Sequence, residues 1–159
     1  MTDSDEGGES ITAEGLAKLK AELEELEGPA RERIAERLKV ARELGDLKEN
    51  AEYHIAKEDQ AHLETKIQRL REREKNAVVA DVDAAGAGVF AFGRTARVID
   101  DAGRTHTWTL VGSTEANLAE GRLSAESPVG QALRDSKVGD EVKIATPKGE
   151  RTFTIDSVE

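Results

Sequence analysis

Gly45-Asp46-Leu47-Lys48-Glu49-Asn50-Ala51-Glu52-Tyr53-His54 is the stretch on which the fold turns. It interrupts two long segments patterned as helices, so it reads as the turn of a helical hairpin. Its acids would then sit far from the body of the protein. Carboxylates offered on an arm, rather than lining a pocket, are groups that can be lent to another molecule's active site to help hold a divalent cation.

Working back from that turn, Leu16, Leu19, Leu23 and Leu26 recur at steps of 3, 4 and 3, as in the a/d seam of a coiled coil. The seam continues through Ala30, Ile34, Leu38 and Ala41. Thr12 is the expected N-cap, with Ile11 before it placed to staple onto Leu16. Gly28-Pro29 weakens the helix and removes a backbone donor, so a kink or break is expected there. Unbroken, Thr12 to Leu44 would span roughly 48 Å at 1.5 Å per residue. Beyond the turn, Ile55, Ala56, Leu63, Ile67, Leu70 and Ala77 form a second apolar stripe at helical spacing. Two stripes joined by a short turn imply antiparallel helices.

After Asn76 the apolar period falls to 2. Val78–Val82, Thr95–Ile99, His106–Val111, Glu141–Ile144 and Thr152–Ile155 read as strands. Asp101-Ala102-Gly103 and Pro147-Lys148-Gly149 are hairpin turns. One helix interrupts the strands, with Ser127 as N-cap and Pro128 at N1, over Pro128 to Asp135. The fold class is therefore α+β: an N-terminal antiparallel helical coiled-coil hairpin over 11–77, then a mostly antiparallel β domain with one short helix over 78–159. The acidic opening, residues 1–10, is expected to be disordered.

The chain has 159 residues, 35% of them charged, and a net charge of −10. Asp3, Asp5, Glu6 and Glu9 give the opening −4, residues 11–77 carry 14 basic and 16 acidic groups, and residues 78–159 carry −4. Neither domain is basic, which argues against free duplex DNA or RNA as the primary partner. With no cysteine there is no disulfide framework, thiolate nucleophile or zinc ribbon. No apolar run approaches the ~20 residues of a membrane span, and the acidic stretch Met1 to Ser10 lacks the basic and apolar regions expected of a signal peptide. A soluble, cytoplasmic, monomeric protein is expected.

The turn quoted above, with Ala41-Arg42-Glu43 before it and Ala56-Lys57-Glu58 and Gln60 after it, resembles the tip signature of the bacterial Gre transcript-cleavage factors, the GreA branch more closely than GreB. Val111-Gly112, Glu115-Ala116, Gly121-Arg122-Leu123-Ser124, Ser127 to Leu133, Gly139 to Val142 and Pro147-Lys148-Gly149 are similar to that family's sheet domain. The resemblance covers residues 11–159, with small departures at Arg94 and Asn117. It implies an FKBP-like domain that docks on RNA polymerase, with the coiled coil entering the secondary channel. There such factors stimulate the polymerase's own cleavage of backtracked nascent RNA, near its 3′ end, without being nucleases themselves.

Asp46 and Glu49 are hard oxygen donors suited to Mg²⁺, and their i, i+3 separation lets both project from one side of a turn. They are the candidate catalytic pair, sharing Mg²⁺ only within the polymerase complex; no tightly bound cofactor is expected. Acids on a turn are also commonly just solvated, and it is the resemblance that decides for the metal role. Tyr53 is open to two readings, stacking on an RNA base or covering the helix junction. Arg31, Arg33, Arg37, Lys39 and Arg42 read either as a basic surface for extruded RNA, with Arg37 and Arg42 nearest it, or as a solvated face paired with Glu32, Glu36 and Glu43. His54 and His62 lack matched ligands for zinc. Ser127 and Pro128 are first a helix start, and by resemblance lie near the polymerase-docking surface. The competing readings are a Gre-like inhibitor of the same channel and, from another class, a prolyl isomerase or chaperone. Phe90, Phe92, Trp108 and Phe153 are the few aromatics from which the latter could line a pocket.

Overall fold

The computed structural model describes residues 8–46, 49–83 and 85–159. They form two compact units, one of residues 16–77 and one of residues 8–15 with 78–159. Residues 11–15, expected in the arm, thus group with the second unit. Most of the acidic opening lies outside the described residues. Glu9 and Ser10, expected to be disordered with it, instead begin strand β1 (Glu9–Ile11). A strand can form there without an apolar pattern because its hold is backbone pairing to β2 (Ala77–Val79), the burial of Ile11 at 1% exposure, and a 2.7 Å bond from Thr114 Oγ1 to Glu9 Oε1.

In the first unit, helix α1 (Ala13–Glu25) does not break at Gly28-Pro29. It passes through a π-helical turn, Leu26–Ala30, into α2 (Arg31–Glu43), and the flanking Glu25 and Arg31 keep α-helical φ/ψ of −63°/−42° and −61°/−42°. Pro29 has no N–H for the carbonyl four residues earlier, and the wider turn absorbs that mismatch without ending the helix. Helix α3 (Ala51–Asn76) returns. Buried Leu19, Leu23, Ala30, Leu38 and Ala41 on the way out, and Ala56, Ile67 and Leu70 on the way back, make the seam. Each buried Leu or Ile contributes about 1.5–3 kcal/mol. Ile55, expected in the stripe, is 51% exposed; the α3 seam opens one residue later, at Ala56.

Ion pairs run between the helices: Glu22–Lys66 at 3.2 Å, Glu27–Arg71 at 3.0 Å, Arg31–Glu64 at 2.7 Å and Arg37–Asp59 at 2.9 Å. Arg31 and Arg37 meet partners that step backwards along α3, so the helices are antiparallel. The hydrogen bond from Arg31 holds the Glu64 carboxyl below its ordinary range, and that from Arg71 does the same for Glu27. These groups are only half-buried, so solvent screens the pairs and they set register more than they add stability.

The second unit is built on a five-stranded sheet, ordered β6 (Arg122–Ser124), β5 (Thr105–Val111), β4 (Thr95–Asp100), β9 (Gly149–Val158), β8 (Glu141–Thr146). All neighbours are antiparallel except β5 and β6. A two-stranded piece, β3 (Val89–Phe90) with β7 (Ser136–Lys137), completes it. The alternation of β4 buries Ala96, Val98 and Asp100 on one face, where they join Phe90, Phe92, Leu110, Leu133, Ile144, Phe153 and Ile155. Helix α4 (Pro128–Leu133) ends two residues short of the expected Asp135, whose φ of 67° cannot continue a right-handed helix.

Candidate functional site

The tip of the hairpin is closed by Asn50. Helix α2 ends at Leu44, whose N–H donates to Ala41 O at 3.1 Å, and Gly45 turns the chain with φ of 125°. Asn50, at φ −92° and ψ 95°, then caps α3: its Oδ1 accepts from Tyr53 N at 3.1 Å. Its Nδ2 donates at 2.5 Å to the carbonyl of Ala41, in the last turn of the opposite helix. One side chain therefore satisfies an orphan donor of α3 and adds a second donor to a carbonyl in the last turn of α2, which pins the two ends of the turn together. Asn is a preferred N-cap, so the first contact was legible in the sequence; the second, nine residues back, was not.

On this clamped connection Asp46 and Glu49 are both exposed. Leu47 and Lys48, between them, lie outside the described residues. Glu49 immediately precedes the cap of α3, where the positive end of a helix favours a negative charge. Among the described residues no group of three or more His, Asp or Glu side chains could hold a metal ion. Two exposed carboxylates fit Mg²⁺ in chemistry, as hard oxygen donors, but supply only part of the six-oxygen shell it prefers. They fit as a contribution to an ion held mainly by other groups.

The structure brings Arg42 and Tyr53 together, the guanidinium carbon 5.9 Å from the ring centroid, and His54 meets Tyr53 edge-on at 5.8 Å. Tyr53 is half-buried, so it does cover the junction while leaving ring surface exposed. Arg37 is paired with Asp59 and Arg31 with Glu64, while Arg33 reaches Glu25 at 2.9 Å. The cross-helix pairs carry much of this face, where one of the two sequence readings had pairing to Glu32, Glu36 and Glu43 within the helix. Val40, Leu44 and Ile55 leave 48%, 68% and 51% of their surface exposed near the tip.

Ser127 and Pro128 belong to the other unit. Ser127 Oγ accepts from Gly130 N at 3.1 Å and donates to Ser124 O at 2.7 Å, while Pro128 starts the helix and is exposed. A Cβ on Gly130 would fall inside the contact distance of Ser124 O, which is why this helix needs glycine there. Arg94 holds the carbonyls of Val82 at 2.7 Å, Val89 at 3.0 Å and Gly86. Phe90, Phe92 and Phe153 are 0%, 8% and 5% exposed within the core, so they are not free to line an isomerase pocket. No helix among the described residues is long and apolar enough to cross a membrane.

Two family models match the chain, one along each part. Residues 9–79 match the family described as "Transcription elongation factor, N-terminal", and residues 85–159 match "Transcription elongation factor, GreA/GreB, C-term". The chain is similar to transcription elongation factor GreA of Chloroflexus aggregans, with 44% identity over 91% of this chain and 93% of that protein. It is 42% identical to GreA of Geobacillus kaustophilus over 93% of this chain and 94% of that one. A crystal structure of GreA factor homolog 1 from Thermus thermophilus is 27% identical, covers 96% of this chain and 99% of its own, and superposes with a TM-score of 0.41. Matched along both its helical and its β-rich parts, the chain belongs to the GreA/GreB family of transcription elongation factors.

Proposed function

We propose that this elongation factor acts by lending Asp46 and Glu49 to the active site of RNA polymerase, reached by the hairpin through the secondary channel, so that the polymerase cleaves backtracked RNA near its 3′ end. One observation carries the reading: the two acids sit exposed on a connection whose ends Asn50 clamps, so they are presented rather than sequestered. Such a pair can complete the oxygen shell of a Mg²⁺ that the host holds loosely. That ion, when bound, supplies the charge that assists phosphodiester hydrolysis. The chain itself contributes the carboxylate oxygens, their placement, and the surface beside them, where the ring of Tyr53 backed by Arg42 can lie against the extruded RNA. The factor is a cofactor of the reaction and not its catalyst, because its own donors form only part of a metal site.

The test is a cognate polymerase halted in a backtracked state with Mg²⁺. Wild-type protein should release short 3′ fragments, and Asp46→Ala or Glu49→Ala should lower release by roughly a hundredfold or more while polymerase binding persists. Normal cleavage by both variants would overturn the assignment of roles. A wild type that suppresses cleavage would establish the inhibitory reading in its place.

A further inference from the structure

The two sides of the hairpin tip differ. Among the described residues of the helical unit, the large apolar side chains left exposed are Val40, Leu44 and Ile55, at 48%, 68% and 51%. All three lie next to the turn: Val40 in the last turn of α2, Leu44 just past its end and Ile55 in the second turn of α3. Val40 and Ile55 each precede a buried seam alanine, Ala41 and Ala56, by one residue. One step back is a rotation of about 100° about the helix axis, and in antiparallel helices the two rotations carry both side chains to the same side of the pair. Leu44 lies one turn on from Val40 and shares that side. The pair Arg37–Asp59, 2.9 Å apart, borders it, since Arg37 likewise precedes the buried Leu38. Arg42 follows Ala41 and so faces the other way, where it meets the ring of Tyr53. The tip thus carries a cationic and aromatic side and an aliphatic one.

We propose that Val40, Leu44 and Ile55 form a docking surface for an apolar, uncharged stretch of the polymerase wall beside its active site. Nucleic acid is gripped through cations on its phosphates and aromatic faces on its bases, and these side chains offer neither, while the adjoining Arg37 is already paired with Asp59. A second copy of the chain would need about 1,200–2,000 Å² of buried surface in total, and three half-exposed side chains fall far short of that. A surface this small adds to an interface that other contacts make. Leu44 stands two residues from Asp46, so whatever receives the tip acids also meets this side chain, and burying its apolar area there contributes affinity without chemistry. The inference rests on the function proposed above, because only a hairpin that reaches the polymerase brings this side against it.

Val40→Gln, Leu44→Gln and Ile55→Gln, combined in one variant, remove the apolar surface at exposed positions with a residue that favours helix. Because the chain has no cysteine, Asp156→Cys in every protein takes a single fluorophore in the β-rich unit. Anisotropy titrations with cognate polymerase free of nucleic acid should show the triple Gln variant binding about tenfold more weakly than wild type, and the matching triple Met variant within about twofold of it. In the cleavage assay the half-saturating concentration of the Gln variant should rise by the same factor, with the maximal rate unchanged within about twofold. Should the triple Gln variant not fold, Leu44→Gln alone, beyond the end of α2, should weaken binding about threefold. Equal affinity of wild type and folded Gln variant overturns the docking surface. A loss seen only when backtracked RNA is present assigns this side to RNA and overturns it too. So does wild-type self-association at micromolar concentration that the Gln variant lacks. Weaker binding by the Gln variant together with a wild type that stimulates no cleavage overturns the proposed function and leaves the docking surface standing.

Discussion

The helical unit holds together along a one-sided seam of Leu19, Leu23, Ala30, Leu38, Ala41, Ala56, Ile67 and Leu70, whereas the β-rich unit closes around a cluster that includes three phenylalanines. A seam of this kind leaves most of the helix surface polar and lets a hairpin be long while burying little. Its stability is local, turn by turn, and its end carries the exposed Asp46 and Glu49. The β-rich unit concentrates its apolar area and its close backbone contacts in one place. The lesson is a difference in how the two units are held: cooperative packing around one cluster in the β-rich unit, and a narrow seam with capping and ion pairs in the helical one.

The contrast breaks most visibly at Gly130. Because a Cβ there would strike the carbonyl of Ser124, Gly130→Ala should cost about 2–3 kcal/mol in urea unfolding of the β-rich unit, with the hairpin amides keeping their hydrogen-exchange protection. A change below about 0.5 kcal/mol would mean that the α4 contact is not tight.

A smaller and more local effect is expected at the tip. Asn50→Ala removes both the cap of α3 and the bond to Ala41 O, which should cost about 1–2 kcal/mol. Hydrogen exchange should quicken at amides around 41–54 and stay unchanged in the sheet. Equal protection in the variant would show that the seam alone closes the hairpin.

A third effect is pH-dependent and confined to the β-rich unit. Asp100, buried at 6% exposure, accepts a 3.0 Å bond from His106 Nε2 and 2.9 Å bonds from the N–H groups of Arg104 and Ala102. The hydrogen bond from His106 first, then those backbone N–H groups, hold its carboxyl from the ordinary 3.8 down to about 2. A carboxyl depressed in the folded state adds stability that is complete above about pH 4 and is lost as the pH falls toward 2. Denaturant midpoints of Asp100→Asn should therefore fall less steeply than wild type across that window. Parallel acid limbs would contradict the assignment.

Much of the architecture was legible because its cause is periodic: the leucine steps from Leu16 to Leu26, the alternation of Thr95–Ile99, and the Ser127-Pro128 helix start all act between near neighbours. What escaped depends on contacts distant in sequence or on backbone alone. Strand β1 has only Ile11 to mark it. The short β6 carries Leu123 between polar residues, and its parallel pairing with β5 has no turn signal to announce it. Gly28-Pro29 looked like a kink or break because sequence shows the missing donor but not the wider turn that absorbs it. At the tip, Asp46 and Glu49 were singled out through their resemblance to a family pattern, while the clamp of Asn50 on Ala41 needed the fold.

The central claim, that the tip acids share an ion with the polymerase, is tested most directly by titrating Mg²⁺ in the cleavage reaction with saturating wild-type factor and with Asp46→Asn, which keeps shape and removes charge. The account predicts that the variant needs about tenfold more Mg²⁺ for half-maximal cleavage, since affinity for such an ion follows the number of charged ligands. The same Mg²⁺ requirement for both proteins, at whatever maximal rate, would contradict it.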